Sequence, residues 1–418
     1  MTTDNTPEQP ARLWVSHPTG NTFARALIAG LDRSDMLDTF FTCIALGKDA
    51  NHPLAVKLLG QRRCGIPSAR IEQQPVREGL RLLSQRLSWT RALRRHERGP
   101  LCVDRVYRSL DEKVARRLRA ASPPPAGIYA YEDGARASFE AARDQGVRRL
   151  YDLPIGYWRS ARRLQTEEAE RRPDWAATMP ALRDSDAKLA RKDEELQLAE
   201  HIFVASRFTA TTLKDAPFAL PEPVIVPYGC PPVADLQIPG PSRTDRKLKV
   251  LFVGSLSQRK GLADLLEAVD TVSAAVELTL IGRRVAECKP LDAALARHRW
   301  IESLPHSGIL ETMRSQDVLV FPSLFEGFGL VLTEALSQGL PVIATAHTAA
   351  PDLIEDGREG FIVPIRDGSA IAAKLELLAG DPERLHAMRL AALERARSSG
   401  WDAYESAMVA HLRALVAL

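Results

Sequence analysis

The sequence predicts an α/β protein built from two parallel sheets. Its 418 residues exceed what one hydrophobic core usually holds, so two domains are expected. Short β-prone runs alternate with helical stretches in both halves of the chain, which is typical of parallel sheets covered by helices. A proline-rich break separates the halves, with eight prolines among residues 217–241. We therefore expect a ligand cleft between two domains, at the carboxyl ends of their strands.

In the first half, a unit of strand, loop and helix is predicted over residues 12–31. A β-prone run there meets the turn-forming HPTGNT, and apolar residues then recur at helical spacing. A second unit of the same kind is predicted over 201–213. The remaining strands of this half are predicted at 38–46, 127–134 and 147–153, with arginine-rich helical stretches between them.

The second half repeats this alternation. KLKVLFVGSLSQRKGLADLLEAV predicts a strand, a loop with a glycine and two cations, and a helix. Four more buried strands are predicted at VELTLIG, DVLVFPS, GLPVIAT and GFIVPI, and the last eighteen residues predict one closing helix. The predicted boundaries are a first domain over 1–216, a linker over 217–245, a second domain over 246–400 and the closing helix over 401–418.

Basic residues are concentrated in the first half. Residues 61–119 hold sixteen Lys and Arg against six Asp and Glu, although the whole chain has a net charge of only +3. Such a face suits a phosphate-bearing ligand, an anionic lipid surface or nucleic acid, and plain solubility explains it as well. Within it, residues 77–98 mix leucines and a tryptophan with seven arginines, as a helix lying on a membrane surface would. A solvated helix that packs its leucines inward is the alternative.

The cysteines and the first residues favour the cytosol. Five cysteines are scattered and form no CxxC or Cys/His cluster, which predicts a reducing compartment and no structural zinc. The first residues have neither the basic nor the apolar segment of a signal peptide, and no run of about eighteen apolar residues occurs. We therefore expect a cytoplasmic protein whose contact with a membrane is at most peripheral.

The stretch EGFGLVLTE, residues 326–334, offers a candidate ligand site. It follows the predicted strand DVLVFPS, so Glu326 lies on a loop and Glu334 lies about one turn into a helix that begins near Leu330. Eight residues span about 12 Å in a helix, whereas the paired carboxylates of glycosidases lie about 5–9.5 Å apart. The spacing fits two ends of an elongated ligand better than a catalytic pair. Ordinary surface charge is the alternative from these two residues alone.

Two further loops can approach such a ligand. In SLSQRKG, residues 255–261, Arg259 and Lys260 lie beside the amides that open a helix, where a bound diphosphate would offset the unfavourable placement of two cations. The glycines of EGFG let the backbone pass close to a ligand, and the first amides of the next helix form an anion site. In the first half, HPTGNT places Gly20 where a backbone can approach a ligand. A nucleotide-sugar, with hydroxyls at both ends and phosphates in the middle, suits this layout.

Taken together, these residues resemble the retaining GT-B glycosyltransferases of family 4, also called glycosyl transferases group 1. FPSLFEGFGLVLTEALSQGLPVIAT is similar to the Glu-x7-Glu signature of that family, and VLFVGSLSQRKGLADLLEA is similar to its donor-phosphate loop. The segments AEHIFVASRFTATTL, VIVPYGC and EDGREGFIVP complete the pattern. The resemblance is strong over about residues 195–380 and weaker over the first 160. It implies two Rossmann-like parallel-sheet domains facing a central cleft, with the C-terminal helix closing back toward the first domain.

The resemblance also implies a role for each matching residue. Glu326 would face the hydroxyls of the donor sugar, and Glu334 would bind the ribose. Arg259 and Lys260 would neutralise the diphosphate as it leaves. Gly20 would lie near the reacting centre. The other implied donor-binding positions are Gly254, Ser255, Gly327, Phe328, Gly329 and Leu330.

Two positions depart from the family pattern. Where many relatives have a histidine after a strand of the first domain, this chain has Tyr151 and then Asp152, which are therefore candidates for a sugar or acceptor contact. Where relatives often have arginine after the glycine of the phosphate loop, this chain has Ser255. The family needs no catalytic metal, so no metal and no other cofactor is expected. The one Asp-x-Asp, Asp184 to Asp186, is interpreted as surface.

The function implied is transfer of a sugar, with retention of its α configuration, from a UDP- or GDP-sugar to a glycan or lipid-linked acceptor in surface polysaccharide or glycolipid synthesis. The expected partners are the donor, the acceptor and an anionic membrane contacted on its inner face through residues 77–98, and no nucleic acid. Two alternatives stay open: an epimerase or hydrolase of sugar nucleotides on the same scaffold, and a non-catalytic subunit that binds a nucleotide-sugar. A Rossmann dehydrogenase is disfavoured because no GxGxxG follows a strand.

Overall fold

The chain forms two sheets, one in each half. A computed structural model describes residues 11–416 except 54–56, 58, 86, 234, 236, 237, 239 and 241–245. The strands of the first sheet are β1 (Leu13–Ser16), β2 (Leu37–Thr42), β3 (Ile71–Gln73), β4 (Gly127–Tyr131), β5 (Arg148–Leu153), β6 (His201–Val204) and β7 (Val224–Ile225). Those of the second sheet are β8 (Leu248–Val253), β9 (Val276–Ile281), β10 (Arg299–Ile301), β11 (Val318–Phe321), β12 (Val342–Thr345) and β13 (Gly360–Val363).

Helices connect the strands in both halves. Those of the first half are α1 (Thr22–Arg33), α2 (Pro75–Ser84), α3 (Val103–Ala120), α4 (Arg136–Asp144), α5 (Trp158–Arg171), α6 (Asp186–Leu198) and α7 (Arg207–Thr212). Those of the second half are α8 (Leu262–Thr271), α9 (Lys289–Arg297), α10 (His306–Arg314), α11 (Leu330–Ser337), α12 (Ala350–Leu353), α13 (Gly368–Gly380) and α14 (Pro382–Arg397), and α15 (Trp401–Val416) closes the chain. Within the described residues, none of these helices combines the length and the apolarity needed to cross a membrane.

The order of the strands fixes where a ligand can bind. The first sheet runs β3-β2-β1-β4-β5-β6-β7 and the second runs β10-β9-β8-β11-β12-β13, and the strand pairs are parallel in both. The direction of winding therefore reverses between β1 and β4 and again between β8 and β11. In such sheets a crevice opens at the carboxyl ends of the strands where the winding reverses. The two predicted parallel-sheet domains are confirmed, each with one such crevice.

The central strands are buried on both faces. Every residue of β1, β4, β11 and β12 is buried. Because helices cover both faces of a parallel sheet, such strands have continuous apolar runs rather than alternating ones. This burial explains why GIYAY and VLVF are recognisable as strands from the sequence alone.

The chain passes between the two sheets twice. The first passage follows β7, a strand of the first sheet that lies inside the predicted linker 217–245; residues 234, 236, 237, 239 and 241–245 of that linker lie outside the described residues. The second passage lies between α14 and α15. The two passages touch, because the amide of Cys230 donates to the Ser399 carbonyl at 2.7 Å. The rings of Tyr228 and Trp401 also stack there, with centroids 6.3 Å apart.

The closing helix α15 returns to the first domain, as predicted. It packs along α1, where Arg33 forms an ion pair with Glu405. A Cβ added at Gly30 would lie 3.1 Å from the Cβ of Glu405, so the two helices approach closely at a glycine. The C-terminal helix is therefore part of the first half of the structure, although it follows the second sheet in sequence.

The prediction of one continuous interfacial helix over residues 77–98 is wrong, because the segment contains two separate elements. The segment forms α2, which ends at Ser84, and a separate 3₁₀ turn over Ser88–Arg94. The hydroxyl of Thr90 donates to the carbonyls of Ser84 and Leu87, at 2.5 and 2.6 Å. The bond to Ser84 satisfies the last carbonyl of α2 and thereby favours the end of the helix at that residue.

Candidate active site

Four loops meet at the crevices between the domains. Two of them belong to the second domain: the loop from β8 to α8, and the loop from β11 to α11, which contains EGFG. The other two belong to the first domain and follow β5 and β6. The loop after β5 lies against EGFG, since a Cβ added at Gly327 would lie 2.0 Å from the Pro154 carbonyl oxygen. Only glycine fits at that contact. From the start of α7, the hydroxyls of Ser206 and Thr209 donate to the Gly327 carbonyl at 2.5 and 2.9 Å, so the first domain holds this loop in place.

Glu326, Arg259 and Lys260 are brought together as one ionic cluster. The Nη1 of Arg259 lies 3.0 Å from the Oε2 of Glu326, and Lys260 donates to the same oxygen. All three side chains are largely buried. Lys260 also lies over the ring of Phe321, with its Nζ 4.5 Å from the centroid. The predicted catalytic residues thus share one site, although 66 residues separate Lys260 from Glu326.

The charges of this cluster depend on one another. Burial opposes the ionisation of Glu326, but the charges of Lys260 and Arg259 outweigh it and lower the pKa of the carboxyl to about 2. Burial lowers the pKa of Lys260 to about 8, against the attraction of Glu326. Glu326 is therefore ionised at neutral pH and occupies the two cations that the sequence assigns to a diphosphate. A ligand that brings its own phosphates can replace this carboxylate on the cations and leave Glu326 to accept hydrogen bonds from hydroxyls.

The loop after Glu326 leads into a candidate anion site. Helix α11 begins at Leu330, as predicted, and its N-cap is Gly329 with φ of +86°, a conformation that favours glycine. Within the described part of the chain, the backbone amides of residues 327–330 donate to no protein acceptor. Free amides at the N-terminus of a helix bind anions. The predicted donor-binding positions Gly327 and Phe328 lie beside Glu326 in this loop, and both are buried.

Glu334 lies in the first turns of α11 and has a partner that the sequence did not indicate. The Nε2 of His306 lies 3.0 Å from the Oε1 of Glu334. His306 opens α10, the helix after β10. The carboxylate of Glu334 is mostly buried and His306 is exposed, so the imidazole lies on the solvent side of the predicted ribose site. A histidine next to a helix start gives no distinctive sequence signal.

The loops after β1 and β8 lie at the points where the winding reverses. Gly20 has φ of +55° and is buried, and its amide donates to the Nδ1 of His17 at 2.9 Å. Burial lowers the pKa of His17 to about 3, so the neutral ring accepts this bond and orders the loop. Gly254 and Ser255 follow β8 and are half-buried, in the loop that carries Arg259. His17, which the sequence reasoning passed over, directly follows its strand in HPTGNT.

Tyr151 and Asp152 are not brought to the cleft. Both lie within β5, and the Tyr151 hydroxyl donates to Glu195 at 3.1 Å in the interior. Asp152 faces the other side of the sheet, where it accepts a bond of 2.6 Å from Tyr129. Burial raises the pKa of Asp152 to about 7, against the effect of that bond. The residues of this region that do approach the second domain are Pro154, Ile155 and Gly156, which follow the strand.

Asp184, which the sequence analysis interpreted as surface, is half-buried and ion-paired. Its carboxylate lies 2.9 Å from the Nε2 of His96 and 3.1 Å from Lys188. Glu97 lies 3.2 Å from the same His96 nitrogen, and the ligand atoms of these two acids and the histidine lie within 4.8 Å of one another. Asp186, in contrast, has a side chain that is 95% exposed.

Solved structures share this architecture over nearly the whole chain. Sucrose-phosphate synthase from Thermosynechococcus elongatus is 17% identical and superposes with a TM-score of 0.66 over 97% of this chain and 99% of that one. Anabaena Alr3699/HepE in complex with UDP-glucose is 16% identical, with a TM-score of 0.61 over 96% of this chain and 99% of that one. The two-sheet architecture is the GT-B fold.

The second half can be assigned more closely. Residues 236–395 match the family model Glycosyl transferases group 1, so this part of the chain is a glycosyl transferases group 1 domain. The phosphatidyl-myo-inositol mannosyltransferase of Mycobacterium leprae is 32% identical over 164 residues, which are 38% of this chain and 44% of that protein. The D-inositol 3-phosphate glycosyltransferase of Streptomyces avermitilis is 39% identical over 113 residues, which are 25% and 24% of the two chains. The chain spans less than half the length of the curated relatives it matches.

Proposed function

We propose that this protein is a retaining glycosyltransferase that moves a sugar from a nucleotide-sugar to a glycan or lipid-linked acceptor. The observation that carries this proposal is the ionic cluster of Glu326, Arg259 and Lys260 beside the free amides of residues 327–330. It combines two cations and an anion site for a diphosphate with one carboxylate for sugar hydroxyls. The glycosyl transferases group 1 domain contains all of these residues.

The donor binds along the EGFG loop in this proposal. Its diphosphate lies against the amides of residues 327–330 and the side chains of Arg259 and Lys260. Glu326 accepts hydrogen bonds from the sugar, and Glu334, positioned by His306, accepts them from the ribose. As the bond to the sugar breaks, negative charge grows on the departing diphosphate, and the preorganised cations and amides stabilise it. The acceptor hydroxyl attacks from the face that the diphosphate leaves, and its proton passes to the departing phosphate oxygen on that face. This attack retains the configuration and is the geometry that the family resemblance implies.

A screen of donors tests this proposal. We expect UDP-sugars or GDP-sugars to raise the unfolding temperature of the protein, because a ligand that binds only the folded state stabilises it. UDP is favoured because Alr3699/HepE, which shares the fold, has been solved with UDP and with UDP-glucose. Chromatography of the reaction mixture then separates sugar transfer from release of free sugar or an epimerised nucleotide. Stabilisation by none of the UDP-, GDP-, ADP- and dTDP-sugars would contradict the proposal.

An apolar and basic surface on the first domain completes the proposal. Seven of the twelve large apolar side chains that are exposed within the described residues fall between 76 and 103. Trp89 is 78% exposed, and exposed arginines such as Arg91 and Arg95 lie among these side chains. We call the following residues, together with Arg91 and Arg95, the apolar-basic surface: Val76, Leu80, Leu83, Leu87, Trp89, Leu93 and Val103. Its chemistry suits the anionic inner face of a membrane, where a lipid-linked acceptor would lie in the cytoplasmic leaflet.

Replacing Arg91, Arg94 and Arg95 by glutamine should weaken binding to anionic liposomes. Each basic side chain near such a surface contributes about 1 kcal/mol, so the triple variant should bind at least about tenfold less tightly in co-sedimentation. A matched variant that replaces Arg297, Arg299 and Arg314, exposed arginines of the second domain, removes the same charge and should bind as the wild type does. An equal loss of liposome affinity in both variants would show that net charge alone determines binding, and it would contradict a membrane-binding role for the apolar-basic surface.

A further inference from the structure

A cavity of about 430 Å³ opens directly beside the ionic cluster. It lies between α5, α6 and the turn at residues 180–183, and Arg259 and Phe325 form its wall on the side of the second domain. Phe325 precedes Glu326, so the cavity adjoins the place where the donor sugar lies in the proposed function. We call it the side cavity. Its volume falls within the range of small-molecule sites.

One wall of the side cavity is apolar. Ile155 and Trp158 from the segment after β5, Leu189 from α6 and Phe325 line it together with Ala161. The ring of Trp158 is fixed in place, because its Nε1 donates to Asp193 at 2.6 Å and the guanidinium of Arg159 lies 4.2 Å from the ring centroid. A flat apolar wall of this kind accommodates the carbon face of a sugar ring, whose hydroxyls then point to the rim.

Three of the cations on the other walls are already ion-paired. Lys188 lies 3.1 Å from Asp184, and Lys192 lies 3.1 Å from Glu132. Arg259 is paired with Glu326, as described above. The remaining lining cation, Arg183, is exposed and donates to the Ala177 carbonyl at 2.5 Å. A phosphate or carboxylate that bound Lys188, Lys192 or Arg259 would have to separate one of these ion pairs, whereas hydroxyls can bond to both partners of a pair without breaking it.

We propose that the side cavity is the acceptor site and that it takes an uncharged sugar residue in preference to a phosphorylated or carboxylated one. This inference rests on the proposed function, since it assigns the acceptor of the same reaction. The apolar wall holds the ring, and the Lys188–Asp184 pair supplies one donor and one acceptor for its hydroxyls. The acceptor class differs from the phosphate that appears in the names of the D-inositol 3-phosphate glycosyltransferases compared above.

Ligand-observed NMR tests this preference with defined probes. Methyl glucoside, methyl galactoside and methyl mannoside, each with its 6-phosphate, are titrated into the protein with UDP present at saturation. We expect at least one neutral glycoside to bind at least about tenfold more tightly than its 6-phosphate, a difference of about 1.4 kcal/mol. UDP binding, measured in the same samples, reports on the donor site separately.

Two variants locate the binding and identify the charge effect. Ala161→Leu fills the side cavity and should abolish glycoside binding, whereas the matched Ala293→Leu on the exposed face of α9 should not change it. Asp184→Asn leaves Lys188 without that carboxylate and should raise the affinity for the 6-phosphate relative to the neutral glycoside. This second variant keeps the test decisive even if the first one folds poorly.

The outcomes separate the inference from the proposed function. Three results overturn the inference: tighter binding of the 6-phosphates, binding of no neutral glycoside, or full glycoside affinity in a folded Ala161→Leu variant. In each of these cases, binding of UDP still supports the donor site. Failure of UDP itself to bind overturns the proposed function and the inference with it.

Discussion

Replacement of Glu326 by alanine is expected to reduce sugar transfer at least about a hundredfold, the loss seen when one preorganised polar contact to a transition state is removed. Glu326 is the only carboxylate that contacts both Arg259 and Lys260 within the described residues, and it adjoins both the anion site and the side cavity. Initial rates with a donor that the thermal screen identifies measure the effect. A turnover rate equal to that of the wild type in this variant would exclude a catalytic role for Glu326.

The Glu326 variant should remain folded, for a reason visible in the same cluster. Removing the carboxylate leaves Lys260 buried without its anion, but burial already lowers the pKa of Lys260 to about 8, so the amine can lose its proton rather than remain as an unpaired charge. UDP should bind the variant at least as tightly as the wild type, because no carboxylate competes for Arg259. The isosteric Glu326→Gln serves as the control for shape, and thermal unfolding reports on the fold. Weakened UDP binding in both variants would indicate that Glu326 organises the nucleotide-binding part of the donor site rather than binding the sugar hydroxyls.

Removing both cations, in Arg259→Ala with Lys260→Ala, is expected to weaken UDP binding by a few kcal/mol. A hydrogen bond to a charged group contributes about 1.5–3 kcal/mol, and each side chain offers at least one to the diphosphate. Part of that gain is offset in the wild type, because UDP must first displace Glu326 from both cations. Titration calorimetry with UDP measures the difference.

The matched control for this pair is Arg297→Ala. Arg297 lies in the same domain and forms an exposed ion pair with Asp270 at 3.0 Å, at the end of α9. Exposed pairs of this kind contribute about 0–1 kcal/mol, so its removal should leave the UDP dissociation constant unchanged. An unchanged constant in the Arg259 and Lys260 variant as well would exclude the diphosphate role of both cations.

Much of the architecture could be predicted because buried parallel strands have a strong local signal. The runs VLFV and VLVF are apolar at every position and are followed by Gly254 and Pro322, so both the strands and their ends are visible in sequence. The start of α11 at Leu330 follows from the glycines before it and the helical spacing after it. These features depend only on neighbouring residues, which a sequence displays directly.

The features that could not be predicted depend on contacts between distant segments. Glu326 and Lys260 are 66 residues apart, and nothing local shows that each is the other's counter-ion. Tyr151 is a candidate cleft residue because it stands where many relatives have a histidine, yet its hydroxyl bonds to Glu195, which lies on α6. The side cavity is assembled from α5 and α6, the turn between them and the loops after β8 and β11, so no single stretch of sequence indicates it.

The two passages of chain between the sheets have a consequence for motion. Tyr228 in the first passage also lies 4.6 Å from Phe23 of the first domain and 5.0 Å from Phe328 of the second, measured between ring centroids. Two adjacent connections that touch each other restrain sliding and twisting of one domain against the other. The motion that they leave is a hinge rotation of the domains about an axis through both connections. Phe328 lies in the EGFG loop, next to that axis. Opening of the cleft would therefore move the outer parts of both domains by large distances, while the end of the site where we propose that the sugar binds would move little.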